Sequence, residues 1–74
     1  MSVKNRIRHW RQELGYEDCL QFAELIGFSA WMVERWEEQR IQPTLEALCR
    51  VRERLLPHCP GLKLEDLVDY IPED

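Results

Sequence analysis

The sequence predicts a compact all-α domain of five helices, with a helix-turn-helix at about residues 18–39. Apolar residues recur at helical spacing in five separate stretches, which is the pattern of amphipathic helices. Residues that favour helix starts precede three of these stretches, and glycine or proline follows several of them. A chain of 74 residues, 45% of them hydrophobic, is long enough for one small core. We therefore expect a single domain over residues 1–74.

The first helix is predicted from about residue 3 to residue 14, and Gly15 supplies its stop. Four apolar residues recur at helical spacing and would form its buried stripe: Val3, Ile7, Trp10 and Leu14. Three basic side chains would lie on its solvated side: Lys4, Arg8 and Arg11. These cations are either ordinary surface charges or contacts to phosphate groups.

The second helix is predicted from Cys19 to Ile26. Asp18 precedes it and is a candidate N-cap, because its carboxylate can accept hydrogen bonds from the free amides of the first turn. Gly27 would end the helix in a left-handed conformation. Together with the small Ala23, this glycine suits two helices that cross closely at a sharp angle.

The third helix is predicted from Ser29, its N-cap, to about Gln39. Three residues should anchor it in the core: Phe28, Val33 and Trp36. The opposite face carries Ala30, Trp31, Glu34 and Arg35, with Met32 toward one side. A helix held in this way, with one face free of the core, is what a helix-turn-helix protein places in the DNA major groove.

The fourth helix is predicted from Thr44, an N-cap after Pro43, to about Leu56. Its apolar face is wide: Leu45, Leu48, Cys49, Val51, Leu55 and Leu56. Such a face indicates either deep burial or an additional partner helix. A short fifth helix at about residues 64–70 would close the domain, with its apolar residues inward.

These residues resemble the lambda-repressor-like (Cro/CI, XRE-type) helix-turn-helix family. The positions that carry the resemblance share one register: Ala23, Gly27, Ser29, Val33, Trp36-Glu37 and Pro43-Thr44-Leu45. The likeness extends from Asn5-Arg6-Ile7-Arg8 to Leu64-Glu65-Asp66-Leu67, almost the whole chain. It implies a bacterial or phage regulator of transcription that binds double-stranded DNA. It also implies a homodimer formed by residual apolar surface on the fourth and fifth helices.

The resemblance further implies a role for each site residue. Four residues of the third helix would face the bases: Ala30, Trp31, Glu34 and Arg35. Arg35 could pair with guanine, Glu34 could accept from cytosine, and the two apolar side chains could pack on thymine methyls. Four residues would hold phosphates: Arg40, Gln42, Lys4 and Arg8. Glu37 matches an acid that supports the helix in the family.

Two departures from the family pattern stand out. Asp18-Cys19 replaces a Ser/Thr-Gln pair at the start of the second helix, and Asp18 would be repelled by a nearby phosphate. Gln39 replaces a glycine after the third helix. A non-glycine residue in a left-handed position costs about 1 kcal/mol, unless the helix end is rebuilt.

A protein-interaction module that has lost DNA binding is the alternative function. The net charge of −4 favours it, although residues 63–74 carry the whole deficit and residues 1–62 are neutral. Trp31 and Met32 would then contact a protein partner, since such residues are enriched at protein interfaces. On a third interpretation, Arg35 only pairs with Glu34 or Glu38 on a solvated face.

Composition argues against other classes of protein. No apolar run approaches the roughly 20 residues of a membrane span, and residues 1–10 lack an apolar signal segment. We therefore expect a cytoplasmic protein with no membrane contact. The three cysteines should be reduced thiols, and His58-Cys59 with Cys19 or Cys49 matches no zinc spacing. We expect no metal, no cofactor and, without a catalytic motif, no enzyme activity.

Overall fold

The computed structural model describes residues 2–72 of the chain. Two strands and four α-helices follow one another as β1 (Ser2–Asn5), α1 (Ile7–Glu13), α2 (Cys19–Ile26), α3 (Ala30–Glu37), α4 (Leu45–Leu55) and β2 (Val68–Ile71). A 3₁₀ turn at Leu64–Leu67 leads directly into β2. The two strands pair antiparallel, with Ser2 opposite Ile71 and Asn5 opposite Val68. The domain therefore combines helices with a small sheet.

The predicted all-α, five-helix class is wrong at both ends of the chain. Residues 2–5 form a strand, and the first helix begins at Ile7 because the side-chain Oδ1 of Asn5 accepts its backbone N–H at 3.2 Å. The predicted fifth helix is a single 3₁₀ turn followed by β2. Its valine, tyrosine and isoleucine favour a strand once β1 offers a partner.

The core lies where α1, α2, α3 and α4 meet the turn before β2. Its buried apolar residues are Ile7, Phe22, Ala23, Ile26, Val33, Trp36, Leu48, Val51, Leu55, Leu62 and Leu67. The prediction that Val33 and Trp36 anchor α3 is confirmed, and the half-buried Phe28 meets Trp36 edge to face at 4.9 Å between centroids. Val3 is 49% exposed, because it lies in a strand opposite Tyr70 and not on a helix.

The helix starts follow the local sequence. Asp18, Ser29 and Thr44 each accept a backbone N–H of the next turn through the side chain, which confirms all three predicted N-caps. Gly27 ends α2 with a φ of 83°. Each cap stabilises its helix by about 1 kcal/mol.

Among the helices of residues 2–72, none combines the length and hydropathy that a membrane crossing requires.

Candidate nucleic-acid interface

The helix α3 is held along one face and leaves the other face exposed. A turn at residues 27–29 joins it to α2, with which it shares an extensive contact. Its inner face buries Val33, Trp36 and Glu37. The first two belong to the apolar core, whereas Glu37 is a buried carboxylate that needs polar partners.

Glu37 joins α3 to α1 and to α2. The Nε of Arg11 donates to Glu37 Oε2 at 2.8 Å and its Nη2 donates to Oε1 at 3.0 Å, so the two groups pair as a fork. The Sγ of Cys19 donates to Oε2 at 3.2 Å. The Nε of the more exposed Arg8 donates to Oε1 at 3.3 Å. These four hydrogen bonds replace the hydration that the carboxylate loses on burial.

This network shifts the pKa of three groups. Burial by itself raises the pKa of Glu37, but hydrogen bonds from Arg11, Cys19 and Arg8 and the charge of Arg11 bring it below its ordinary value. The hydrogen bond to Glu37 raises the pKa of Arg11. Burial, and then the hydrogen bond to the carboxylate, raise the pKa of the Cys19 thiol to about 11. The Cys19 thiol is therefore protonated at neutral pH and a poor nucleophile.

The prediction that Arg11 lies on a solvated side is wrong. The residue is 9% exposed, and its Nη1 also donates to the carbonyl oxygens of Tyr16 and Glu17, both at 2.9 Å. Sequence reasoning missed this role because Glu37 lies 26 residues further along the chain. Glu37 itself supports the helix as predicted.

The Cys19 thiol should make the free energy of unfolding depend on pH in the alkaline range. Its folded pKa of about 11 exceeds the ordinary 9.0, so its contribution to stability is present below pH 9.0 and is lost as the pH rises toward 11. In Cys19→Ser, a hydroxyl can donate to Glu37 without ionising, and this decline should disappear. We would compare urea unfolding at about pH 8 and about pH 10.5.

The exposed Cys49 provides the control for this measurement. Cys49→Ser should decline with pH like the wild type. A Cys19→Ser protein that still declines as steeply would assign the alkaline loss to other groups.

A second set of hydrogen bonds fastens the carboxyl end of α3 to β1. The backbone N–H of Asn5 donates to Gln39 Oε1 at 3.2 Å, and Gln39 Nε2 donates to the Asn5 carbonyl at 3.0 Å. The Nδ2 of Asn5 donates to the Trp36 carbonyl at 2.7 Å and to Gln42 Oε1 at 2.9 Å. The Gln39 amide thus occupies the outer edge of β1, where a third strand would otherwise pair.

Gln39 takes the left-handed backbone, which is the first of the two alternatives that comparison with the family left open at this position. Its φ is 61°, and among residues 2–72 it is the one non-glycine residue with a positive φ. The cost of about 1 kcal/mol is offset by the two bonds to the Asn5 backbone. Sequence reasoning missed the partnership because the two residues lie 34 positions apart.

The four predicted base contacts differ in exposure, and Ala30 packs against the edge of the hydrophobic core. Trp31 is 54% exposed and Glu34 is exposed, while Ala30 and Arg35 are half-buried. The guanidinium carbon of Arg35 lies 5.0 Å from the centroid of the Trp31 ring. Its Nη1 donates to Glu38 Oε1 at 3.3 Å, so the predicted pairing of Arg35 with Glu38 is present.

The predicted phosphate contacts are brought together only in part. The bonds between Asn5 and Gln39 place the exposed Lys4 and Arg40 at the same end of α3. Arg40 Nε lies 3.5 Å from Glu38 Oε1, and Asp69 stands opposite Lys4 in the sheet. Two other candidates are exposed but hydrogen-bonded to other residues of the chain: Arg8 to the Glu37 carboxylate, and Gln42, whose Nε2 donates to Gln39 Oε1 at 2.8 Å.

Acidic side chains surround the cleft where α1, the start of α2 and α3 meet. The cleft has a volume of about 240 Å³. Its lining carries five carboxylates against two guanidinium groups: Glu17, Asp18, Glu34, Glu37 and Glu38, with Arg8 and Arg11. Within residues 2–72, no three His, Cys, Asp or Glu side chains come together to hold a metal ion.

Comparison of the chain with known protein families, curated proteins and solved structures gives no match.

Proposed function

We propose that the chain binds double-stranded DNA in a sequence-specific manner through the outer face of α3 and regulates transcription. The proposal rests on how α3 is held: one face packs on the core and the other is exposed. This helix of eight residues follows α2 after a short turn, and Glu37 and Gln39 fix it from inside while Trp31 and Arg35 lie outward. An α-helix with its side chains is about 10–12 Å in diameter, which fits a major groove about 12 Å wide. The resemblance to the lambda-repressor-like family supports the same function.

The side chains have distinct roles in this proposal. Arg35 pairs with guanine and Glu34 accepts from the amino group of cytosine. Trp31 supplies exposed apolar surface, and the half-buried Ala30 adds the part of its methyl group that the core leaves uncovered. Lys4 and Arg40 hold the phosphate backbone at the carboxyl end of α3, where they fix the register without reading sequence.

A homodimer is the proposed binding unit, because one module of this size buries too little surface for tight specific binding. A groove of about 440 Å³ between α4 and β2 supports it, lined by Leu45, Leu48, Lys63, Leu64, Glu65 and Val68. Leu45 is 68% exposed there. Lys63 and Glu65 carry opposite charges on one patch, which suits pairing across a two-fold axis. Sedimentation equilibrium should show dimers that Leu45→Glu dissociates, and a wild type that stays monomeric would contradict the dimer.

Binding of a protein partner through Trp31 and Met32, without DNA, is the second candidate function. The acidic cleft beside α3 favours it, because carboxylates at that position repel phosphate groups. The two functions differ in their dependence on salt and on the cations at the end of α3.

Fluorescence anisotropy with labelled random-sequence duplex DNA across a salt series tests the proposal. Binding should weaken steeply as salt rises, because each phosphate contact releases condensed counterions. Arg40→Ala should lower the slope of log affinity against log salt by about 0.9, which corresponds to one contact. Arg54→Ala removes the same charge from an exposed site on α4 and should leave the slope unchanged.

Circular dichroism establishes that each variant is folded. A folded wild type that fails to bind duplex DNA even at about 50 mM salt would contradict DNA binding and favour the protein partner. In that case Trp31→Ala is the first variant to test for loss of a partner.

A further inference from the structure

We infer that Trp31 positions Arg35, and that Arg35 held in this way is the residue that selects guanine. The inference rests on the proposed function, because it concerns how the outer face of α3 reads DNA. It gives Trp31 a role different from the thymine contact that the sequence predicts.

The geometry of Arg35 supports this role. Its side chain is only 30% exposed although it lies on the outer face of the helix. Trp31, one turn earlier, lies beside it, with the ring centroid 5.0 Å from the guanidinium carbon. A guanidinium over an indole face at this distance makes a cation–π contact. Arg35 is therefore ordered before any ligand arrives.

The carboxylate of Glu38 completes the arrangement. Glu38 Oε1 accepts from Arg35 Nη1 at 3.3 Å and lies 3.5 Å from Arg40 Nε, so a second cation helps to hold it. The hydrogen bonds of residues 2–72 leave Arg35 Nε and Nη2 without an acceptor. These two groups form one edge of the planar fork, and such an edge matches the N7 and O6 acceptors of guanine.

Ordering in the free protein lowers the cost of binding. An arginine side chain loses rotamer entropy when it is fixed, and the stack on Trp31 incurs part of that loss before DNA is bound. An aliphatic side chain at position 31 would keep apolar surface but would offer no π face. The guanine preference should then fall while general DNA binding remains.

Site selection from a random library, followed by 7-deazaguanine substitution in the selected duplex, tests the inference. The modified base lacks the N7 acceptor, so the wild type should bind it about tenfold more weakly than guanine. Trp31→Leu should reduce this penalty by about two- to fivefold, the worth of an exposed cation–π contact. Trp31→Phe, which retains a π face, should keep most of it, and Arg35→Ala should abolish it.

A spectroscopic measurement on the free protein accompanies the binding data. The Hδ protons of Arg35 should show an upfield ring-current shift in the wild type and in Glu34→Ala. Trp31→Leu should lose this shift while its circular dichroism is unchanged, because Trp31 is 54% exposed and lies outside the core.

The outcomes separate the inference from the proposed function. If Trp31→Leu binds DNA with the full 7-deazaguanine penalty, or if the ring-current shift is missing from the wild type, the positioning role is overturned and DNA binding stands. If the folded wild type binds no duplex at low salt, both are overturned.

Discussion

Replacing Glu37 with alanine is expected to lower the free energy of unfolding by about 3–5 kcal/mol. Arg11 is 9% exposed as a residue, and the substitution removes the carboxylate that it meets through two hydrogen bonds. Only the carbonyl oxygens of Tyr16 and Glu17 then remain as partners of the charge. An uncompensated buried charge costs far more than the intact pair contributes. Since small domains are stable by about 5–15 kcal/mol, Glu37→Ala should be marginally folded.

Urea unfolding followed by circular dichroism measures this effect. Glu34→Ala, which removes an exposed carboxylate from the same helix, should change the free energy by less than about 0.5 kcal/mol. The double variant Arg11→Met with Glu37→Leu should recover part of the loss, because it removes both charges and fills the site with apolar groups, while the Tyr16 and Glu17 carbonyls lose the Arg11 donor. A loss in Glu37→Ala no larger than in Glu34→Ala would contradict a structural role for the pair.

The same carboxylate predicts a dependence on acid. The folded pKa of Glu37 lies below the ordinary value of 4.5, so its contribution to stability is present above pH 4.5 and is lost as the pH falls through the folded pKa. Glu37→Gln cannot ionise and should lose less stability over that range than the wild type. Parallel acid curves for the two proteins would assign the loss to other carboxylates.

The features that the sequence predicts correctly are local ones. The α2 helix has its predicted bounds, because Asp18 directly precedes it as the N-cap and Gly27 directly follows it as the C-cap. The start of α3 follows from the hydroxyl of Ser29, which caps the helix. The residues of one helix and its caps are sufficient to predict where that helix begins and ends.

The missed features depend on partners far along the chain. Val3 shares helical spacing with Ile7, but its strand forms because residues 68–71 pair with residues 2–5. Arg11 looks like a surface charge until α3 brings Glu37 beside it. The same limit applies to the candidate site, where periodicity indicates which residues face outward but not that Arg35 stacks on Trp31.

Asn5→Ala tests the other fastening of α3 and is expected to lower the free energy of unfolding by about 2 kcal/mol. Asn5 is 6% exposed, and its side chain bonds to two helices. Its Nδ2 donates to the Trp36 carbonyl in α3, and its Oδ1 accepts the backbone N–H of Ile7 at the start of α1. Alanine leaves both backbone groups without this partner. Lys4→Ala, at the exposed neighbouring position, should have little effect on unfolding.

Hydrogen exchange locates the consequence of Asn5→Ala. The amides of β1 and of the carboxyl end of α3 should exchange faster. The amides of α4 should still exchange with an opening free energy close to the free energy of unfolding of the variant. Gln39→Gly breaks the bonds to the Asn5 backbone but relieves the positive φ, so its net loss should be smaller, about 1 kcal/mol or less. If Asn5→Ala is no more destabilising than Lys4→Ala, the pairing of β1 with β2 is sufficient to hold the strand, and the end of α3 is fixed by the core alone.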